Sequence, residues 1–447
     1  MKYETVKSII LTVLVFLSAS LTFALWTYQP RLSSLNDTYI DISIAEQKEI
    51  SDIIRPYKIV YHDEDVSRGT VEQRDIDLHL EEFKNWSFFD VNEVYPRMDK
   101  TSFYDLIHGA GMVEIEFPNL VPLTTYTNVL NFSDEEEMDY FDFDRMVIDT
   151  NLEDSAEYMT VYFVNYQQGD VVESHVNRSF YEAFADVFIK GRRAYDDYTA
   201  IELNEGRKIF IPENGVKMRE LTYLVSFGKN SSSEQSYVEL FKKALFSDPN
   251  GVRPDTIQSG KEYSDGTSKM EVNETTNMIQ YVDPQEEGYL VTTRPELIQK
   301  SLQFVNEHDG WTDDYRYVDW NQEQQKITYQ LFQNGYPVFN DNRMTLMTQK
   351  WSNNQIYIYE RPYYNITDNI PPPKEQETLP AGQDVFEVVK KHPQFKEENV
   401  KNIVQGYELN KVAPNTFAFE PSWHYQYGET WYKVDFDKLG GATIGLE

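Results

Sequence analysis

The sequence predicts an α+β protein: a single N-terminal transmembrane helix followed by a multidomain ectodomain of helices packed on antiparallel sheets. Three observations carry this expectation. Residues 8–30 contain no charged side chain, the rest of the chain mixes helical and strand periodicities, and 40% hydrophobic with 15% aromatic residues is ample material for packed cores.

The first element is the apolar run from Ser8 to Tyr28. At ~1.5 Å per residue it spans the ~30 Å hydrocarbon core of a bilayer. Lys2 and Lys7 precede it, whereas the chain beyond Arg31 is dominated by Asp and Glu. The short basic tip (within residues 1–30) is therefore expected in the cytoplasm and residues 31–447 outside, making a single-pass protein of the cell membrane. Trp26 and Tyr28 sit where amphipathic rings mark the outer interface. Ser18-Ala19-Ser20 offers a competing reading as a signal-peptide cleavage site, but apolar character continues through Leu21, Phe23, Ala24, Leu25 and Trp26, which favours a retained anchor. Ser8, Thr12, Val15, Ala19, Thr22 and Trp26 step by four and three residues, so they form one seam along the helix. Small and hydroxylated residues on such a seam let membrane helices approach and hydrogen-bond, and these six are the candidate partner-binding residues.

Charge and cysteine content bound the remainder. Lys2, Glu4 and Lys7 leave the first thirty residues one positive charge, so about −34 of the chain's −33 lies beyond them. Such a surface repels nucleic acid and anionic polymers. The absence of cysteine excludes disulfides, thiolate metal sites and cysteine nucleophiles.

A first domain is expected over 31–200. Ile76, Leu80 and Phe83 recur at helical spacing, as do Phe180, Phe184, Val187 and Phe188, while Met112 to Phe117 and Thr160 to Val164 read as strands. The second, 201–370, opens with a strand at Leu221–Val225 and a helix near residues 233–245 that Asp248-Pro249-Asn250-Gly251 terminates. Ser264-Asp265-Gly266-Thr267 signals a tight turn, with Met270–Val272 and Met278–Val282 as alternating strands. A helix over Pro295–His308 follows, then strands over Lys326–Phe332 and Gln355–Glu360. Pro371-Pro372-Pro373 has linker composition. It sets off a final helix-on-sheet module, 371–447, with a helix over Asp384–Lys391 and aromatic strands over Ile403–Phe436. Helix followed by strand and aromatic hairpin occurs in both the second and third regions, a weak internal repeat.

The search for chemistry finds little. The seven histidines show no zinc-ligand spacing, and no Gly-x-Ser-x-Gly elbow, Walker loop or dinucleotide fingerprint is present. His62-Asp63-Glu64-Asp65 is the densest run of potential ligands, but consecutive residues point different ways, so a solvated turn is expected. Asp134 to Glu137, with Asp139, Asp142 and Asp144, reads as a solvated helix start. Trp311, Tyr315, Tyr317 and Trp320, like Trp423, Tyr425, Tyr427, Trp431 and Tyr432, alternate as sheet faces do, in preference to a sugar-stacking surface. No catalytic residue, metal or cofactor is expected.

Several stretches together resemble one family: Leu25-Trp26-Thr27-Tyr28-Gln29-Pro30, Tyr263-Ser264-Asp265-Gly266-Thr267, Asn334-Gly335-Tyr336-Pro337-Val338-Phe339, and Gly406-Tyr407 leading to Pro421-Ser422-Trp423. In order, and with the anchor, they resemble the YycH family of membrane-anchored accessory proteins of the WalK–WalR (YycG–YycF) two-component system in low-GC Gram-positive bacteria. The middle and last parts also look like the sister protein YycI. The resemblance implies a non-enzymatic regulator of a cell-wall-controlling sensor histidine kinase, acting with YycI and WalK through transmembrane and extracellular contacts, without cofactor or small-molecule substrate. An anchored protein that binds or hydrolyses wall polymer is the alternative.

Overall fold

The computed structural model describes Ser18 and residues 46–93, 98–133, 140–228, 236–284, 292–307, 310–352, 355–371 and 376–436. The chain divides into two units, Met1–Ile42 and Ser43–Glu447, and the fold below is that of the second. The expected anchor and its seam lie outside the described residues, apart from the helical Ser18 beside them. Among the described residues no helix is long and apolar enough to cross a membrane.

A ten-stranded sheet organises the first half. Strand β1 (Lys58–His62), helix α1 (Gln73–Lys84), helix α2 (Lys100–His108), strand β2 (Met112–Pro122) and strand β3 (Asp142–Asp149) form its centre and its covers. The strand order is Lys208–Pro212, Asp196–Glu202, Ser67–Thr70, β1, β2, β3, Tyr158–Asn165, Asp170–Asn177, Ser87–Glu93 and Asn131–Phe132, antiparallel throughout except the last pair.

Both faces of the sheet's centre are buried, and for different reasons. Ile59 and Tyr61 of β1 and Val113, Ile115 and Phe117 of β2 share one face. There α1 brings Ile76, Leu80, Phe83 and His79, whose ring packs on Phe188 and whose Nε2 lies 2.5 Å from the Tyr61 hydroxyl. The i, i+4, i+7 spacing of Ile76, Leu80 and Phe83 is what lays one stripe of α1 on this layer. On the opposite face α2 packs Phe103 and Ile107 against Val147, Val164 and Tyr166. Asp99 caps α2, accepting from the amides of Thr101 and Ser102.

One helical stripe departs from expectation. Phe184 and Phe188 are buried, but Val187 is 64% exposed, because Arg178–Phe184 continues into a π turn, Ala185–Ile189. The wider turn puts Phe188 under Phe184 and rotates Val187 outward.

The second half is a fourteen-stranded sheet that joins strands from 221–370 to strands from 400–433. Helix α3 (Arg294–Glu307) packs against strand Lys326–Gln333, and Ser301 meets the Tyr329 hydroxyl at 2.7 Å. Met270 and Val272 face Tyr281 and Ile279 in the predicted pair of strands, and Asp265 accepts from the Thr267 and Ser268 amides in the predicted turn. The long antiparallel pair β4 (Val400–Ala413) and β5 (Thr416–Tyr427) enters this sheet through a parallel contact of β4 with Tyr336–Phe339.

The two sheets meet at the start of α1. Asn334 and Gly335, at φ 52 and 86, make the tight turn between Lys326–Gln333 and Tyr336–Phe339. A Cβ on Gly335 would stand 3.0 Å from the Val71 carbonyl oxygen. Tyr336 donates to Glu72 at 3.1 Å, and the Arg316 guanidinium donates to Gln73. Asn119 donates to the Val318 carbonyl, Tyr317 to that of Leu120, and Asn402 to the Tyr57 hydroxyl.

Gly335→Ala is expected to destabilise the folded chain by more than Gly266→Ala. Both positions have positive φ, which costs an L-residue ~1–2 kcal/mol, but a Cβ at Gly266 meets nothing within 4 Å. Urea-unfolding midpoints of the two variants test this, and equal midpoints would remove the close approach at Val71. His79 yields a pH prediction. Burial lowers its pKa from 6.5 to about 4, so its contribution is fully present above pH 6.5 and is lost as pH falls towards 4, where only the unfolded chain is protonated. The stability advantage of wild type over His79→Gln should fall by about 3 kcal/mol across that window.

Candidate functional site

The sheet face beneath α2 carries charge where an apolar layer would be expected. Alternation along β2 places Glu114 and Glu116 on this face, and they are only 2% and 3% exposed. Register supplies their partners. Lys58 of β1 stands directly opposite Glu116, as Arg145 of β3 does on the other side.

Glu116 is held at 2.6 Å by Lys58 Nζ, at 3.2 Å by Arg145 Nη2, and by a 3.0 Å hydrogen bond from the Tyr57 hydroxyl. Lys58 also donates to the Phe210 carbonyl. Arg145 Nε donates to Glu114 Oε1 at 2.9 Å, and Nη1 donates to Asp144 at 3.0 Å. Burial opposes the charge on Arg145, but Glu116, Asp144 and Glu114 outweigh it and keep the guanidinium protonated well above its usual range.

The second oxygen of Glu114 meets two imidazoles. His62 Nε2, at the end of β1, lies 3.1 Å from Oε2, and His108 Nδ1, in the last turn of α2, lies 3.2 Å from it. The rings cross at 68° with centroids 5.3 Å apart, and Phe210 packs on both. Behind them, His62 Nδ1 is 3.0 Å from Ser67 Oγ, and His108 Nε2 is 3.0 Å from the Tyr166 hydroxyl. Burial lowers the pKa of His108 against the pull of Glu114. Burial alone would raise Glu114, yet His108, His62 and Arg145 hold it well below the usual carboxylate range. The donor atoms of His62, His108 and Glu114 all lie within 4.8 Å of one another, as a metal-ligand set does.

Sequence reasoning singled out the run His62 to Asp65 and expected a solvated turn, which holds for Glu64 and Asp65 but not for His62, which is buried. Asp63 turns away to bridge Arg68 and Arg192, and Glu64 and Asp65 face solvent. The partners of His62 are remote in sequence. Asp142 and Asp144, expected at a solvated helix start, instead lie on β3: the alternation of Asp142, Phe143, Asp144 and Arg145 suits a strand, and the two acids pair with Arg294 and Arg145. The rest of that acidic run, residues 134–139, lies outside the described residues. The aromatic clusters are largely core, as their alternation predicted. Trp311, Tyr315, Tyr317, Trp423 and Tyr425 are buried, Trp320 lies under the Arg294 guanidinium, and Tyr432 is exposed. The six seam residues, Ser8, Thr12, Val15, Ala19, Thr22 and Trp26, fall outside the described residues.

Arg145→Met should destabilise the chain by ~3–5 kcal/mol, because removing one partner leaves Glu114 and Glu116 buried without a guanidinium. Chemical unfolding measures this. A loss under about 1 kcal/mol, the scale of an exposed pair, would show that water reaches these carboxylates.

This architecture has relatives. A curated protein of Bacillus subtilis (strain 168), the two-component system WalR/WalK regulatory protein YycH, is 24% identical over 472 residues, covering 100% of both chains. The crystal structure of YycH from Bacillus subtilis superposes with a TM-score of 0.73 at 20% identity, covering 88% of this chain and 100% of that one, and so shares the fold. The model of the YycH protein N-terminal domain matches residues 4–191, which include the charged sheet face, and that of the C-terminal domain matches residues 206–441. With both models matched in order along nearly its whole length, the chain belongs to the YycH family.

Proposed function

We propose that this chain is a non-enzymatic regulator of a cell-wall-controlling sensor histidine kinase of the WalK type. The observation that carries this reading is the end-to-end likeness to a protein named as a regulator of the WalR/WalK system, over two consecutive family domains. The chain would act from the membrane with residues 31–447 outside the cell, in company with a YycI-like partner. The apolar run from Ser8 to Tyr28 and the basic residues before it support that placement.

In physical terms, regulation requires contacts whose free energy differs between two kinase states, typically by ~1–3 kcal/mol. Anchoring in the same bilayer raises the effective concentration of the partners, so weak contacts suffice. The seam of Ser8, Thr12, Val15, Ala19, Thr22 and Trp26 is the proposed helix-to-helix surface, because small residues there permit close approach.

Replacing Ala19 and Thr22 with Leu should leave the chain in the membrane and weaken its association with the kinase in a membrane two-hybrid assay. The loss should be modest, since single contacts between membrane helices average ~0.6 kcal/mol. Leu at Ser18 and Thr27 is the matched control off the seam. Equal effects from both pairs would remove the seam as the determinant, and failure of the full chain to co-purify with the kinase from native membranes would remove the regulatory reading itself.

A further inference from the structure

We propose that His62 Nε2, His108 Nδ1 and Glu114 Oε2 bind a single divalent transition-metal ion, with zinc the ion that this donor set favours. The inference is independent of the regulatory reading above. Two imidazole nitrogens and a carboxylate oxygen, with no sulfur, are borderline ligands suited to zinc.

The first argument is distance. Ligands at ~2.0–2.2 Å from a tetrahedral zinc stand about 3.3–3.6 Å from one another. Glu114 Oε2 is 3.1 Å from His62 Nε2 and 3.2 Å from His108 Nδ1. Both separations are close to that edge length, and all three donor atoms lie within 4.8 Å of one another.

The second argument is an orphaned atom. His108 Nδ1 is buried and has no hydrogen-bond partner, although it touches Glu114. The Tyr166 hydroxyl explains why. It donates its one proton to the Lys208 carbonyl at 3.1 Å and accepts from the Lys208 amide at 2.9 Å. It can then only accept from His108 Nε2, which places a proton there and leaves Nδ1, aimed at a carboxylate oxygen, as the nitrogen open to a cation, whether a proton or a metal ion. With Nδ1 unprotonated, two lone pairs face each other at 3.2 Å and a metal ion between them removes the repulsion that a proton would otherwise have to relieve. The outer contacts, Tyr166 on His108 and Ser67 on His62, are of the kind that orient metal-binding imidazoles.

The third argument is charge. Glu114, Glu116 and Asp144 put three carboxylates against two basic side chains, Lys58 and Arg145, in this layer. A bound divalent cation adds positive charge where carboxylates outnumber basic side chains. It would also tie the end of α2 to the centre of the sheet, and its three protein ligands leave one coordination position for solvent.

The test uses the full chain in detergent, stripped with a chelator and titrated with zinc against a competing chromophoric chelator. One tight equivalent is expected. His62→Gln and His108→Gln should each weaken it by more than the ~10–100-fold that losing an outer hydrogen-bond partner costs, and Tyr166→Phe by about that amount. Zinc should raise the melting temperature of wild type and not of His108→Gln. Cobalt(II) should give wild type the intense visible bands of a four-coordinate site. No saturable zinc uptake by folded wild type, or uptake unchanged by both histidine substitutions, would overturn the proposal and leave the cluster as a proton-only network. Should the variants fail to fold, the wild-type cobalt spectrum decides: weak six-coordinate bands mean surface carboxylates of this acidic chain and sink the site.

Discussion

Two carboxyl side chains buried inside a sheet set the terms for much of this structure. Glu114 and Glu116 sit on the central strand of the first half with almost no access to water. Isolated, each would cost several kcal/mol, so every neighbour is constrained to answer them. Lys58 and Arg145 do so from the adjacent strands, Tyr57, His62 and His108 from the ends. A one-residue slip of β1 or β3 would move Lys58 or Arg145 to the face of Ile115 and Phe117, exchanging a satisfied pair for two buried charges. The ionic layer thus specifies register more sharply than an apolar layer, which tolerates repacking.

The same layer reaches beyond its own sheet. The Tyr57 hydroxyl that donates to Glu116 accepts from Asn402, on the long strand β4 of the second half. Around it, Tyr57 packs with Phe332, Phe339 and Val404. The start of α1 is held by Tyr336 and Arg316. The contacts between halves are therefore tied to residues that each half already needs for its own core. Displacing one sheet from the other would break the Asn402 contact and expose Tyr57, one of the groups that satisfy Glu116.

Local patterns carried most of the elements. The stripe of α1, the Asp-Gly turn at residues 265–266, the helix α3 and the strands at Lys326–Gln333 and Gln355–Pro362 each follow from side chains within a few residues of one another. The charged face was not legible, because strand alternation conventionally assigns Glu to water. Glu114 and Glu116 look the same in sequence whether they face solvent or Lys58 and Arg145. His62 illustrates the limit more sharply: its neighbours in sequence are acids, but those in space come from 46 and 52 residues away. Lys58, alternating with apolar Ile59 and Tyr61 in a strand where Val60 is also apolar, was the available hint that this face is buried on both sides. The π turn after Phe184 and the bulge between Tyr317 and Asp319 likewise break periodicities that a sequence pattern assumes to be unbroken.

On the regulatory reading, this construction bears on how a small free-energy difference reaches a partner. A regulator whose halves slid easily would dissipate a ~1–3 kcal/mol difference in its own rearrangement. Here rearrangement between the halves carries the added penalty of breaking the Asn402 bond to Tyr57 and of exposing to water the apolar cluster of Tyr57, Phe332, Phe339 and Val404. The chain would then respond to a partner's two states as a stiff body, binding one better than the other without changing its own shape. The deformable parts of such an assembly would be the partner and the membrane contact. A difference in fit at either place is sufficient to bias the equilibrium, since a ligand shifts a two-state system by its differential affinity and by nothing else.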